Sequence, residues 1–105
     1  MISNLEKLLG TPRDGALLRY SLGLEYAKAG EKQQAIGHLR EAVARDPLYS
    51  AAWKALGKVL ADADRPGEAL QAFGQGIEAA RKKGDRQAEK EMAVFARRLE
   101  KKISG

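Results

Sequence analysis

Leu22-Gly23-Leu24-Glu25-Tyr26-Ala27-Lys28-Ala29 and, 34 residues further on, Leu56-Gly57-Lys58-Val59-Leu60-Ala61-Asp62-Ala63 are two versions of one segment. The shift pairs Leu22-Gly23 with Leu56-Gly57, Ala27 with Ala61, Ala29 with Ala63 and, beyond them, Ala35 with Ala69. Conservative pairs follow: Ile36 with Leu70, Leu39 with Phe73 and Val43 with Ile77. Most of the identities are Gly or Ala, the residues that let two backbones approach. Gly23 and Gly57 leave room for a neighbouring helix, Ala35 and Ala69 do the same on the partner helix, and the larger Leu, Tyr and Phe positions fill the space between them. A self-similarity at this period is the mark of a repeat architecture.

Working outward, turn signals cut the chain into helix-length pieces. Thr11-Pro12-Arg13-Asp14 reads as a helix start, with threonine at the N-cap and proline at the first helical position. The apolar set Leu17, Leu18, Leu22, Tyr26 and Ala29 recurs at helical steps until Gly30, which can end the helix in a left-handed conformation. Ala35, Ile36, Leu39, Ala42 and Val43 form a second stripe. Asp46-Pro47 reads as a cap and start for a third helix carrying Ala52, Trp53, Leu56, Val59, Leu60 and Ala63. Pro66 opens a fourth, with Ala69, Leu70, Phe73 and Ile77 inward. Gly84-Asp85 ends it and starts a fifth, whose apolar face is Ala88, Met92, Phe95, Leu99 and Ile103. A short helix over residues 2–9 offers Leu5, Leu8 and Leu9. No segment alternates with the period of a strand. The expected class is all-α: five main helices plus the short N-terminal one, antiparallel to their neighbours because the connections are short.

The spacing resembles the tetratricopeptide repeat, whose pattern runs W-x2-L-G-x2-Y and continues through two Ala positions and a large apolar residue to a Pro. Residues 16–49 carry Leu22-Gly23, Tyr26, Gly30, Ala35, Leu39, Ala42 and Pro47, with Arg19 in place of the tryptophan. Residues 50–83 carry Trp53, Leu56-Gly57, Leu60, Ala69 and Phe73, with Gly76 for the second alanine and Arg81 for the proline. The resemblance implies a single helix-turn-helix solenoid over residues 1–105. Residues 16–49 and 50–83 are its two units, 1–10 a truncated leading half-unit and 85–103 a capping helix. Glu91 falls where a third unit would place its glycine, and the missing proline at Arg81 lets the fourth helix run on to Lys83.

Composition narrows the chemistry. The 105 residues contain no cysteine and one histidine, His38, which leaves no disulfide framework and no thiolate or multi-histidine metal site. The net charge of +5 invites a search for an anionic partner. Residues 1–80, however, hold ten Lys/Arg and ten Asp/Glu, so the whole excess lies in residues 81–105, with nine basic and four acidic groups. Gly74-Gln75-Gly76 sits inside a helical stretch without the strand a phosphate-binding loop needs, and reads as close helix packing. His38 has no nucleophile or acid in a recognisable order around it. The sequence thus points to no catalytic residue, no cofactor and no metal. It shows no leading apolar signal and no run long enough to span a bilayer, so a cytoplasmic location is expected.

Binding remains. The family resemblance implies a concave groove lined by the first helix of each unit. Its positions fall on Leu17, Tyr20, Leu24 and Lys28 in the first unit and on Ala51, Lys54, Lys58 and Ala61 in the second, with Ala88 and Met92 from the terminal helix. Lys54 and Lys58 stand one turn apart and can reach one acidic segment, while Tyr20 offers a rigid apolar surface. The expected ligand is a protein segment or peptide carrying acidic and apolar residues. Tyr20, Leu24 and Ala55 occupy places where relatives that clamp acidic carboxyl tails carry Lys and Asn, which argues against that clamp. Two alternatives belong to other classes. The basic C-terminal helix could bind nucleic acid or an anionic surface, although its one aromatic, Phe95, falls on the apolar face. Phe95, Leu99 and Ile103 could instead be shared between two copies as a homodimer.

Overall fold

The structure, a computed structural model, describes residues 1–105. Six helices follow one another: α1 (Ile2–Glu6), α2 (Ala16–Lys28), α3 (Lys32–Arg45), α4 (Ser50–Asp62), α5 (Pro66–Lys83) and α6 (Arg86–Ser104). No strand interrupts them. The starts of α2 and α4 lie 34 residues apart (16 to 50), as do those of α3 and α5 (32 to 66). The sequence period is therefore the period of the backbone.

Two of the expected helix starts are turns instead. The Thr11 hydroxyl accepts a hydrogen bond from the Arg13 N–H at 3.2 Å and donates to the Leu8 carbonyl at 2.5 Å. Asp14 meanwhile accepts from the Gly10 N–H, so its carboxylate folds back on the loop and α2 begins only after Gly15. Likewise the Asp46 carboxylate accepts from the Leu48 N–H at 3.1 Å, which closes a local turn, and α4 opens at Ser50. In both places a short acceptor side chain is satisfied by the nearest N–H before a helix can claim it. The remaining punctuation stands. Pro66 is the first residue of α5, Gly84 ends it at φ 73°, and the Asp85 carboxylate accepts the Ala88 N–H at 3.1 Å to cap α6.

Each helical hairpin is closed by the same bond. Past α2 the Glu31 N–H reaches the Tyr26 carbonyl at 2.9 Å, and past α4 the Arg65 N–H reaches the Leu60 carbonyl at 2.9 Å. These six-to-one bonds need a left-handed residue between, and Gly30 (φ 78°) and Asp64 (φ 60°) supply it. Inside the hairpins the glycines work as the repeat implied. A methyl group on Gly23 would lie 2.5 Å from Leu39 Cγ, and one on Gly57 would lie 2.6 Å from the Phe73 ring. Gly76 is pressed between Trp53 and Met92, whereas Gly74 faces open space, so only one of the two glycines of Gly74-Gln75-Gly76 serves close packing. Leu22, Leu39, Leu60, Phe73 and Met92 are the largest side chains wholly removed from solvent.

The last helix obeys a different offset. It starts 36 residues after α4 (50 to 86), because α5 is 18 residues long where α3 has 14 and the link that follows is shorter. A strict 34-residue shift would bury Arg86, Lys90 and Val94, yet these are exposed. The buried stripe is Ala88 and Met92, continued by half-buried Phe95 and Leu99, which repeats Ala52, Leu56, Val59 and Ala63 two residues late. Ala93, not Glu91, thus holds the place of Gly57. Ile103, expected to continue this apolar face, is instead 52% exposed.

Contacts define an inside and an outside. α2 touches α4 and α4 touches α6, whereas no Cα of α3 comes within 8 Å of α5. The array therefore curves towards α2, α4 and α6. On the outer side the gap between α3 and α5 leaves an open cleft of about 610 Å³ floored by Trp53, Leu56 and Leu60.

Candidate functional site

The inner face is built by α2, α4 and α6, and the sequence-derived positions fall on it unequally. Leu17 is 69% exposed at the start of α2. Tyr20 is half-buried, its ring 4.9 Å from that of Tyr49 at the foot of α4, and Leu24 is half-buried one turn further along α2. Lys28 is exposed and lies 3.3 Å from Glu25. Ala51 and Ala61 are half-buried. Ala88 and Met92 are buried, Met92 completely, with its thioether packed against Gly76; they belong to the core rather than to a surface.

The two lysines of α4 have separate surroundings. The Lys54 ammonium donates to the Glu91 carboxylate at 2.9 Å, and Gln87 reaches the same carboxylate at 3.3 Å. Hydrogen bonding from Lys54, then from Gln87, holds the Glu91 pKa below the usual glutamate value. Lys54 is thus a tie between α4 and α6. Lys58 has no carboxylate within 4.0 Å; its ammonium sits 5.5 Å from the centroid of the Phe95 ring, a cation–π contact. Beside it a notch of about 190 Å³ opens between α4 and α6. Ala61, Phe73, Phe95 and Leu99 line it, with Lys58, Asp62 and Arg98 exposed around its mouth. Phe95 lies against Phe73 with 5.5 Å between ring centroids and 16° between planes.

Glu91, Phe95 and Arg98 were not among the sequence-derived groove residues. The 34-residue shift carried too far and set α6 two residues out of phase. Matching its stripe Ala88-Met92-Phe95-Leu99 against Ala52-Leu56-Val59-Ala63 gives the 36-residue offset, but that offset carries Lys54 and Lys58 to Lys90 and Val94. Glu91, Phe95 and Arg98 come to Lys54 and Lys58 only through the packing of α6 on α4, which no repeat shift shows.

A second polar cluster lies at the N-terminal end. Asp14 receives Arg19 at 2.9 Å and 3.1 Å and the Gly10 N–H at 2.9 Å, with Arg45 at 3.5 Å. The Arg19 hydrogen bonds, then that of Gly10, lower the Asp14 pKa from 3.8 to about 2. His38 is half-buried, stacked on Tyr26 at 5.4 Å and 10°, with its Nδ1 3.4 Å from Arg19; burial first, and Arg19 second, lower its pKa below 6.5. The Tyr26 hydroxyl donates to Glu6 at 2.5 Å. These contacts hold α1 and the loop to Gly15 against the first hairpin. No group of three or more His, Asp or Glu side chains converges anywhere, and no helix is long and apolar enough to cross a membrane.

A curved stack of helical hairpins with a lined inner face is the architecture of a repeat solenoid. The tetratricopeptide-repeat family model matches residues 20–85. A TPR repeat-containing protein of Pseudomonas aeruginosa is 48% identical over 101 residues, which cover 96% of each chain. The solution structure of protein BPP2914 from Bordetella parapertussis superposes with a TM-score of 0.82 at 42% identity, covering 97% of this chain and 89% of that one. A tetratricopeptide repeat domain protein of Salinibacter ruber gives a TM-score of 0.77 at 30% identity, covering 83% and 88%. The chain belongs to the tetratricopeptide-repeat family. Domains of this family generally mediate protein–protein interaction and are generally non-catalytic.

Proposed function

We propose that this protein is a non-catalytic interaction module whose inner face, on α2, α4 and α6, receives a peptide or helix of a partner protein. Residues 16–49 and 50–83 are taken as its two units, with 1–10 and 85–103 sealing the ends. The observation that carries the reading is the state of the inner face. Exposed Leu17 and half-buried Tyr20 and Leu24 give an apolar strip on α2, and Lys58 further along the face has no carboxylate partner. Such a surface suits a ligand that brings apolar side chains and negative charge together. Lys28 at the rim and Lys54 within its ion pair complete the set Leu17, Tyr20, Leu24, Lys28, Lys54 and Lys58.

Nucleic-acid binding has less support. Arg97, Arg98, Lys101 and Lys102 are exposed on α6, but the one aromatic near them, Phe95, is half-buried with one ring face against Phe73, so no exposed aromatic stands among these cations. The test of the groove is capture of partners from the source cell by the wild type and by a Leu17→Asp/Lys58→Glu variant, quantified by mass spectrometry. Both side chains are exposed, so the variant keeps its helicity and melting temperature, and partners held in the groove are lost. Undiminished capture by the variant would sink this reading.

A further inference from the structure

We propose that the notch between α4 and α6 is an anchor subsite for one large aliphatic or aromatic side chain of a partner peptide, with a carboxylate next to that side chain held by Lys58 and Arg98. The inference rests on the reading of the inner face as a peptide groove and names the chemistry of its ligand. Three observations support it. The notch, about 190 Å³, is smaller than the ~300 Å³ at which small-molecule pockets begin, so it takes a single side chain rather than a cofactor. Its inner lining is Ala61, Phe73, Phe95 and Leu99, with no polar side chain among them. Its mouth carries two cations, Lys58 and Arg98, against the single carboxylate of Asp62, and neither cation has a carboxylate within 4.0 Å.

The contrast with Lys54 gives the charge its meaning. One turn away from Lys58, that lysine is hydrogen-bonded directly to Glu91, whereas Lys58 acts on Glu91 only through space and lays its ammonium towards the Phe95 ring at the rim. An apolar residue entering the notch desolvates this pair of cations, which strengthens their pull on an adjacent carboxylate and penalises an adjacent lysine or arginine. Arg98 comes from the basic α6, so part of the excess charge of the last quarter of the chain serves the groove and not a separate nucleic-acid surface.

The experiment is selection of random dodecapeptides on the whole 105-residue protein, followed by affinity measurement of the selected peptides on three variants. The notch predicts a shared Leu, Ile, Met or Phe beside Asp or Glu. It predicts at least about tenfold weaker binding to Lys58→Glu/Arg98→Glu, whose side chains are exposed and whose fold is checked by circular dichroism. Ala61→Trp, which fills the notch without changing charge, should weaken the same peptides to a similar degree. Tyr20→Ala/Leu24→Ala should weaken them less. Peptides that depend on Tyr20 and Leu24 but ignore both notch variants would overturn the notch and leave the groove standing. A shared motif rich in Lys or Arg would also overturn it. Peptides indifferent to all three variants, or no peptides at all, would overturn groove and notch together. A dimer in sedimentation that Ala61→Trp dissolves would give the notch to a second copy and overturn the peptide assignment.

Discussion

Gly30 and Asp64 occupy the same point of the two hairpins, and only one of them is chemically suited to it. Both have positive φ, 78° and 60°, because the six-to-one bond that closes each hairpin demands it. An L-residue with a side chain loses roughly 1–2 kcal/mol in that conformation, less for aspartate than for most. Asp64→Gly should therefore stabilise the protein by about 0.5 kcal/mol after glycine's extra unfolded-state entropy is subtracted, seen as a melting temperature raised by about 2–4 °C. The opposite holds at Gly57, where three atoms of the Phe73 ring stand within 2.7 Å of where a methyl would be. That ring is 1% exposed and stacked on Phe95, so it has nowhere to go. Gly57→Ala should cost about 1–3 kcal/mol, measured by denaturant unfolding. Arg19 shows how a departure from the family pattern is absorbed. Where the second unit has Trp53, whose indole N–H donates to the Pro47 carbonyl at 2.8 Å, the first has Arg19 bonded to Asp14. Each side chain ties its own helix to the loop that precedes it.

Helix existence was legible from apolar periodicity, and so was the 34-residue spacing of α2–α3 against α4–α5. Two starts were not, since Thr11 and Asp46 are equally good residues for a cap and for a local turn, and only the folded chain shows which N–H is nearer. The register of α2 and α4, from which the groove positions are proposed, could be read because the repeat is regular there. That of α6 could not, because α5 is longer than α3 and displaces everything after it. The attachment of α1 and the loop to Gly15 was also hidden, as it depends on Asp14 and His38 meeting Arg19 through the fold. This attachment should respond to acid. The depressed Asp14 pKa contributes stability that is full above pH 3.8 and is lost as pH falls towards about 2. His38, lowered below 6.5, favours its neutral form, so its contribution is full above pH 6.5 and declines as pH falls through its lowered pKa. Amide exchange followed by NMR from pH 7 to pH 2 should show residues 1–15 opening before α4 and α5. Asp14→Asn should abolish the acid limb of that opening.

Together the helices depend on α6 more than its edge position implies. It covers Gly76 with Met92 and Phe73 with Phe95, and Lys54–Glu91 ties it to the inner face. A chain ending at Gly84 would leave that apolar surface uncovered. It should melt at a lower temperature, bind an apolar dye and sediment as oligomers at concentrations where the intact protein gives one species. The offset of 36 residues also has a consequence for how such a protein could lengthen. Tandem duplication copies a block of fixed size, and a block of 34 residues joined behind this α5 would arrive two residues early. On a helix two residues are about 200° of rotation, which turns an apolar stripe from the neighbour to the solvent. The extra length of α5 therefore works as a frameshift in space: it sets the phase at which α6 docks, and a copied repeat would dock in that place only with its link changed by the same two residues.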